Sequence, residues 1–428
     1  PFRSQNSGEG GGTSSVRRPS FWSQLCFGGT RRSRGGLAHA MRLFYKTGWP
    51  RCAVHYRAVG GDSWFTEPLA DVEGAPEWKS TVLEKGAAEF VMRNEEGTAW
   101  DNPPPELGTK NYEPKMPGAP EGSGTWTLAG GRLMRVTEGP PVLIVSDLDH
   151  TMVGHEKDPD DTLLREFQSV WMGRYRFAGS LLVYSTGRNK NDALAVARER
   201  KLLRPDLLVC GVGTEVYEVP RDLPIGPDGR WAEDPARIKA EPHWIEQMKA
   251  SFDRAAVEQV LLSRFPKFDP RGSLENDPYR IPTAYKVDEE LQQNLLRVRE
   301  ALGPTVEVIA SGGDEWKLVD FCSSSAGKLK ACQFVMKKLG MSPECTLVCG
   351  DSGNDESMYR CPSVRGVAVG NSLSELVAAL KSMSRAGPDA VRQGADFTTA
   401  MDGTVLYANR PVAAAIVEAL EHFWPSKL

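Results

Sequence analysis

From residue 141 onward the chain repeats one device, a short apolar run that stops on a small or polar residue. The runs read VLIVS, SLLVYS, DLLVCGV, VEVIAS, TLVCG and GVAVG, with helix-patterned segments between them at 190–201, 326–340 and 372–385. Continuous apolar runs of this length suit strands buried on both faces, and their alternation with helices restricts the chain to an open, Rossmann-like α/β sheet. The interval 217–310 breaks the alternation with the polar, helix-rich "DPARIKAEPHWIEQMKASFDRAAVEQVLLSRF" and two strand-like runs near 279–288 and 305–310. It reads as an inserted α+β cap, which leaves 141–216 and 311–428 as the core.

Open α/β sheets bind ligands beyond the carboxyl ends of their strands, and chemistry-bearing residues collect at those ends here. "IVSDLDHT" places Asp147 and Asp149 two apart after the first core strand, on one side of an extended chain. Two close carboxylates repel unless a cation lies between them, and a hard, oxygen-liganded ion such as Mg²⁺ removes that cost. "VYSTGR" ends a second strand with Thr186, Gly187 and Arg188, a hydroxyl and a glycine amide suited to cradling phosphate. "CGDSGND" ends a third with Asp351, Asn354 and Asp355, and a helix starting there would carry both aspartates on one face. Lys328, at the start of "KLKACQF", would set an ammonium against a phosphoryl oxygen. Each piece has a plain reading too: Asp147, Asp149 and Asp355 as turn or cap residues, Thr186 as a helix cap, Lys328 as a solvated charge. Their order along the chain, each at a strand end or helix start, favours a phosphate site.

Bulk properties narrow the classes. Hydrophobic content of 40%, charged content of 25% and a net charge of −4 are those of a globular chain and argue against a nucleic-acid partner. No apolar run is long enough to span a bilayer as a helix. The eight cysteines are scattered without a CxxC pair, which argues against zinc and a disulfide scaffold and for free thiols in a reducing compartment. The six histidines form no Ser-His-Asp arrangement. Residues 1–40 carry six Arg and one acidic residue in a Gly/Ser-rich setting, which reads as a disordered tail or a transit-like segment. A cytoplasmic location is expected, with the plastid as the alternative that segment suggests.

Taken together, DLDHT (147–151), STGR (185–188), Lys328 and GDSGND (beginning at Gly350) resemble the four motifs of the haloacid dehalogenase phosphatases. Within that superfamily, "SDLDHTMVGHEKD", "GVGTEVY", "SGGDEWKLVDFCSSSAGK" and "TLVCGDSGNDESMY" are most similar to the sucrose-6-phosphate phosphatase family, over about residues 142–375. The resemblance implies hydrolysis of sucrose-6-phosphate through an aspartyl-phosphate, with Asp147 as nucleophile and Asp149 as general acid and base. It implies Mg²⁺ held by Asp147, the Asp149 carbonyl and Asp351, with Asp355 nearby, and phosphoryl oxygens held by Thr186, Gly187 and Lys328. Arg188 and Asn354 would contact sugar or phosphate. Arg280 stands in the cap strand where the family carries Lys, unless the alignment shifts to Lys286, and Leu329 replaces the glycine after the motif lysine. These departures bear on the sugar, so trehalose-6-phosphate and mannosylglycerate phosphate remain alternative substrates. A partnership with a sucrose-phosphate synthase is not derivable from the chain.

Residues 41–128 have a different character, with short strand-like runs (RLFYKT, CAVHYRAV, AEFVMRN) broken by Gly, Pro and Asn, as in a small β-sandwich. Six of the eleven tryptophans lie before residue 127. His55-Tyr56-Arg57, Trp64, the run from Phe90 to Asn102 and Asn111-Tyr112 resemble the starch-binding carbohydrate-binding modules of family twenty-five. That resemblance implies a glucan site lined by His55, Trp64 and Trp100, with starch as ligand, while Tyr45, Trp49 and Trp78 are expected in the core. The Pro/Gly-rich stretch at 103–124 reads as a linker that tethers this module to the α/β part. The alternative to an enzyme is a glucan-binding protein with a silent phosphatase half.

Overall fold

The computed structural model describes residues 40–154, 160–225, 230–231, 234–313 and 315–425. The tail or transit-like reading of the N-terminal residues lies outside them. The α/β part is built on a nine-stranded sheet in the order Lys239–Ala240, Glu215–Glu218, Leu207–Cys210, Leu181–Ser185, Leu143–Ser146, Thr346–Gly350, Arg365–Ala368, Thr404–Tyr407, Ala395–Thr398. The six inner strands from Leu207–Cys210 to Thr404–Tyr407 are parallel, and the outer ones are antiparallel. Leu143–Ser146 and Thr346–Gly350 are neighbours at the centre and are buried at every residue. They are central because their runs hold no charged residue that would need solvent. Ile144, Leu182, Leu208 and Leu347 pack with Phe167, Trp171, Ile416 and Leu420 from the flanking helical segments.

The cap is a four-stranded antiparallel sheet, Asp269–Pro270, Arg280–Lys286, Trp316–Ser323, Val306–Ser311. Helices Arg254–Arg264 and Leu291–Leu302 cover one of its faces, where Leu261, Leu295 and Val298 pack on Ile281, Tyr285, Val319 and Phe321. Two expectations are corrected here. VEVIAS is not the parallel core strand of one reading but the cap strand expected near 305–310, at the edge of the cap sheet and paired antiparallel with Trp316–Ser323. The cap sheet also continues past residue 310, through Trp316–Ser323. An apolar run of six residues carries its strand character in its own sequence, whereas its sheet is chosen by its pairing partner.

The N-terminal region is all-β. One sheet runs Ala70–Val72, Ala75–Leu83, Met41–Lys46, Gly124–Ala129, Arg132–Arg135; the other runs Trp64–Pro68, Cys52–Arg57, Glu89–Asn94, Trp100–Asp101. Leu43, Tyr45, Val54, Tyr56, Phe90, Met92 and Leu128 form the core between them, with Trp49 packed at its margin. The strands therefore extend beyond residue 128. The tethering expectation is also corrected. Within 103–124, Tyr112 exchanges two backbone hydrogen bonds with Phe90 at 2.8 and 2.9 Å, so this stretch is laid along the sandwich. The sandwich itself sits on the α/β part: Phe44 stacks on Phe177 at 4.1 Å, and Trp78 meets the same ring at 4.9 Å. Thr127 Oγ1 donates to the Gly173 carbonyl at 2.8 Å, and Arg204 donates to the Gly74 carbonyl. Buried aromatic stacking between two units makes them one packed body, because separating them would return those rings to water.

Candidate active site

Asp147 follows Leu143–Ser146 directly, and its amide donates to the Cys349 carbonyl of the neighbouring strand at 3.0 Å. That pairing brings the DLDHT and GDSGND loops side by side although about 200 residues separate them. Thr151 Oγ1 donates to Asp351 Oδ1 at 2.9 Å, tying the two loops again. Asp355 folds back over Gly350: its Oδ2 accepts from the amides of Asp351 (3.0 Å) and Ser352 (3.2 Å). Only glycine fits at position 350, because a Cβ there would lie 2.4 Å from Asp355 Cβ. Asp355 is thus the reciprocal cap of the short helix Gly353–Arg360, with Ser352 as its partner, as well as a member of the site.

Lys328 is the cation of this cluster. It is 1% exposed, which removes the solvated-surface reading. Its Nζ donates to Asp147 Oδ1 (2.9 Å), Asn354 Oδ1 (2.9 Å) and Asp355 Oδ1 (2.6 Å), and these three acceptors use all three ammonium protons. Burial opposes its charge, but Asp147 and Asp355 outweigh that and hold it above the ordinary lysine range. One lysine does not neutralise three carboxylates. Oxygens of Asp147, Asp351 and Asp355 lie within 4.8 Å of one another. Burial, then Asp355 and Asp149, pushes Asp147 up to about 7, against the pull of Lys328. Burial, then Asp355 and Asp147, pushes Asp351 up to about 8. A buried all-oxygen donor set with excess negative charge is what a hard divalent cation requires.

Asp149 stands apart from that cluster. Its carboxylate is gripped by Arg188, Nε to Oδ2 and Nη2 to Oδ1, both at 2.8 Å, and both side chains are partly exposed. Thr186 is buried at the end of Leu181–Ser185, and its Oγ1 accepts from the Arg188 amide at 3.1 Å, shaping the turn. It is not the cap of the next helix. Asn189 takes that role for Lys190–Glu199, accepting from the Asp192 amide at 3.0 Å. Gly187 faces Asn354 across the cleft, since a Cβ there would lie 3.8 Å from Asn354 Nδ2. The STGR, Lys328 and GDSGND residues therefore converge.

Arg280 does not join them as an open contact. Its Nε donates to Asp277 Oδ1 (2.7 Å) and its Nη1 to Asp320 Oδ1 (3.0 Å), and its side chain is 7% exposed. It is a buried ion-pair centre of the cap, committed to two carboxylates that the strand alignment could not reveal. Lys286, the other candidate, lies exposed at the far end of the same strand. Sequence reasoning also passed over Thr151, although it stands inside the D-x-D-x-T motif.

On the sandwich, His55, Trp64 and Trp100 meet on the second sheet. His55 stacks on Trp64 (4.8 Å, 19°) and meets Trp100 edge-on (5.7 Å, 78°). Trp64 and Trp100 are 38% and 44% exposed, so neither is a core residue, whereas Tyr45 and Trp78 are buried.

The model of the sucrose-6F-phosphate phosphohydrolase family matches residues 140–424. The probable sucrose-phosphatase 1 of Arabidopsis thaliana is 32% identical over 296 residues, 68% of this chain and 61% of that protein. Sucrose-phosphatase 1 of Nicotiana tabacum is 31% identical over 294 residues, 68% of this chain and 60% of that protein. The chain thus spans about three-fifths of the length of these relatives. The X-ray structure of the sucrose-phosphatase from Synechocystis, in complex with sucrose and phosphate, superposes with a TM-score of 0.50 at 27% identity and covers 67% of this chain and 98% of that one.

Proposed function

The chain belongs to the sucrose-6F-phosphate phosphohydrolase family, and from that premise we propose that it hydrolyses sucrose-6-phosphate to sucrose and phosphate. The observation that carries the reading is the Lys328 ammonium held between Asp147, Asn354 and Asp355, with the Arg188-bound Asp149 at the mouth of the same crevice.

In this reading Asp147 attacks phosphorus as the bond to the sugar oxygen breaks and becomes an aspartyl-phosphate, and water then cleaves that acyl phosphate. Asp149 donates a proton to the departing sugar oxygen and later takes one from the attacking water. Arg188 fixes the direction of that carboxylate. Thr186 and the Gly187 amide hold the phosphoryl oxygens, and the Lys328 ammonium, kept beside them by Asp147, Asn354 and Asp355, adds fixed positive charge that supplies much of the acceleration. Asp147, Asp351 and Asp355, with the Asp149 carbonyl, suit Mg²⁺. When bound, the ion would offset the excess carboxylate charge and draw electrons from the phosphoryl group.

The test is phosphate release from a panel of sucrose-6-phosphate, trehalose-6-phosphate and mannosylglycerate phosphate. Preference for the first by kcat/KM is expected. Preference for another member would move the substrate, and silence on all three, with Mg²⁺ present, would leave a protein without phosphatase action.

A second reading concerns the sandwich. The exposed His55–Trp64–Trp100 cluster supports a site for α-glucan such as starch, because aromatic faces pack on the apolar faces of glucose rings. Co-sedimentation with granular starch tests it.

A further inference from the structure

Glu375 lies in the first turn of the core helix Ser374–Met383. Acidic residues are common there, since they suit the positive end of a helix. That role needs no partner outside the helix, yet this carboxylate has three. Its Oε1 accepts from the Gly353 amide at 2.9 Å and from the Gly312 amide at 3.3 Å. Its Oε2 accepts from Lys317 Nζ at 2.7 Å, and the same ammonium donates to the Gly312 carbonyl at 2.6 Å.

The partners belong to different parts of the molecule. Gly353 directly precedes Asn354, and with Asp355 this loop provides two of the three acceptors of Lys328. Gly312 follows the cap strand Val306–Ser311, and Lys317 lies at the start of the cap strand Trp316–Ser323. The approach to the loop is close: a Cβ on Gly353 would come within 2.8 Å of Glu375 Oε1. Lys317 and Glu375 are only 21% and 26% exposed, so the pair is screened less than a surface salt bridge.

We propose that Glu375 is a positioning residue that makes the geometry of the Gly353–Asp355 loop depend on the seating of the cap. The proposal rests on the phosphatase reading of the Asp147 site. With the cap seated, Gly312 and Lys317 hold both carboxylate oxygens, and Oε1 is aimed at the Gly353 amide. With the cap lifted, Glu375 keeps the loop amide alone and is free to rotate away from it. A sugar that seats the cap thereby tightens the loop that presents Asn354 and Asp355 to Lys328, so part of its binding energy acts on the reacting end.

The experiment uses the full chain and three variants, Lys317→Ala, Lys317→Arg and Glu375→Ala. Hydrogen exchange of the 351–356 segment is read by mass spectrometry without substrate, beside kcat and KM on the sugar phosphate the chain hydrolyses. Lys317→Ala changes only the cap, yet it should speed exchange of the loop about tenfold, the equivalent of one charge-assisted hydrogen bond. It should also lower kcat more than it raises KM, and Lys317→Arg should restore both. The double variant Lys317→Ala/Glu375→Ala should fall short of the sum of the singles. Unchanged exchange at 351–356 in Lys317→Ala, or additive effects in the double variant, would overturn the proposal. The exchange measurement needs no turnover, so it decides the coupling even if no sugar phosphate is hydrolysed. Absence of turnover in the unmodified chain is instead the failure of the phosphatase reading. If Glu375→Ala does not fold, the two Lys317 variants still decide the question.

Discussion

Arg188 and Asp149 form a two-pronged pair, guanidinium against carboxylate, with both contacts at 2.8 Å. A fork of this kind fixes direction as well as charge. It holds Asp149 outside the Asp147–Asp351–Asp355 cluster, so the two aspartates of DLDHT, two residues apart, occupy different electrostatic surroundings. One is buried among like charges and the other is partly exposed against a cation, which suits them to different tasks.

Replacing Arg188 by Ala should therefore lower kcat by about a hundredfold, the low end of what a positioned acid–base group contributes. Arg188→Lys should recover little, since an ammonium cannot reproduce the fork. Thermal melting should hardly change, because the pair is partly exposed. Steady-state kinetics on the sugar phosphate, with a melting curve for each variant, checks this.

Asp147→Asn should abolish turnover and leave the fold intact, since an amide of nearly equal volume is a poor nucleophile. Residual phosphate release in a clean preparation would remove Asp147 from that role.

The crowded carboxylates also predict a pH dependence of stability. The folded-state values of Asp147 and Asp351 are raised, to about 7 and about 8. Between an ordinary carboxylate value and these, the folded chain binds more protons than the unfolded one, so stability falls as pH rises. In metal-free protein the melting temperature should drop from about pH 4 to about pH 8 on account of these groups, and Asp147→Asn should flatten the slope. Mg²⁺ should raise the melting temperature most at the alkaline end. A melting temperature insensitive to Mg²⁺ at pH 8 would count against a cation at this cluster.

Trp64→Ala and Trp100→Ala should each weaken starch binding by on the order of 1 kcal/mol. Both rings are partly exposed, so neither change should shift melting much. Starch pull-down beside thermal melting separates a lost ligand contact from a damaged module.

Phe44→Ala should destabilise the chain by about 3–5 kcal/mol, the usual cost of removing a buried phenylalanine. Phe44 is 5% exposed and stacks on Phe177 of the α/β part. Denaturant unfolding checks the magnitude. For the same reason, cutting the chain after residue 128 should yield an α/β fragment prone to aggregate, since Phe177 would lose both Phe44 and Trp78.

Strand identity and the positions of Asp147, Thr186 and Asp351 were legible in the sequence because they depend on local periodicity. An apolar run declares a strand, and a polar residue directly after it must fall at the strand's end. Thr186 was legible as a strand-end residue, but its plain reading as a helix cap fails, because Asn189, one turn later, caps that helix. Partners were not legible. The engagement of Arg280 with Asp277 and Asp320 required the cap sheet to pair Arg280–Lys286 with Trp316–Ser323 first. Glu375 carried no signal, as nothing near it in the chain announces Lys317.

The sequence by itself thus determined the α/β class, the inserted cap, the all-β front and the residues that gather at the strand ends. Tertiary structure decided which sheet Val306–Ser311 joins, that the sandwich packs on the α/β part instead of hanging from it, and that Lys328 is buried between carboxylates from two loops. Periodicity and turn chemistry act over a few residues and are written in the local sequence. A pairing partner, a buried ring contact or a neutralising charge is selected by the whole set of long-range contacts that minimises exposed apolar surface and unpaired charge, and no short stretch contains that information.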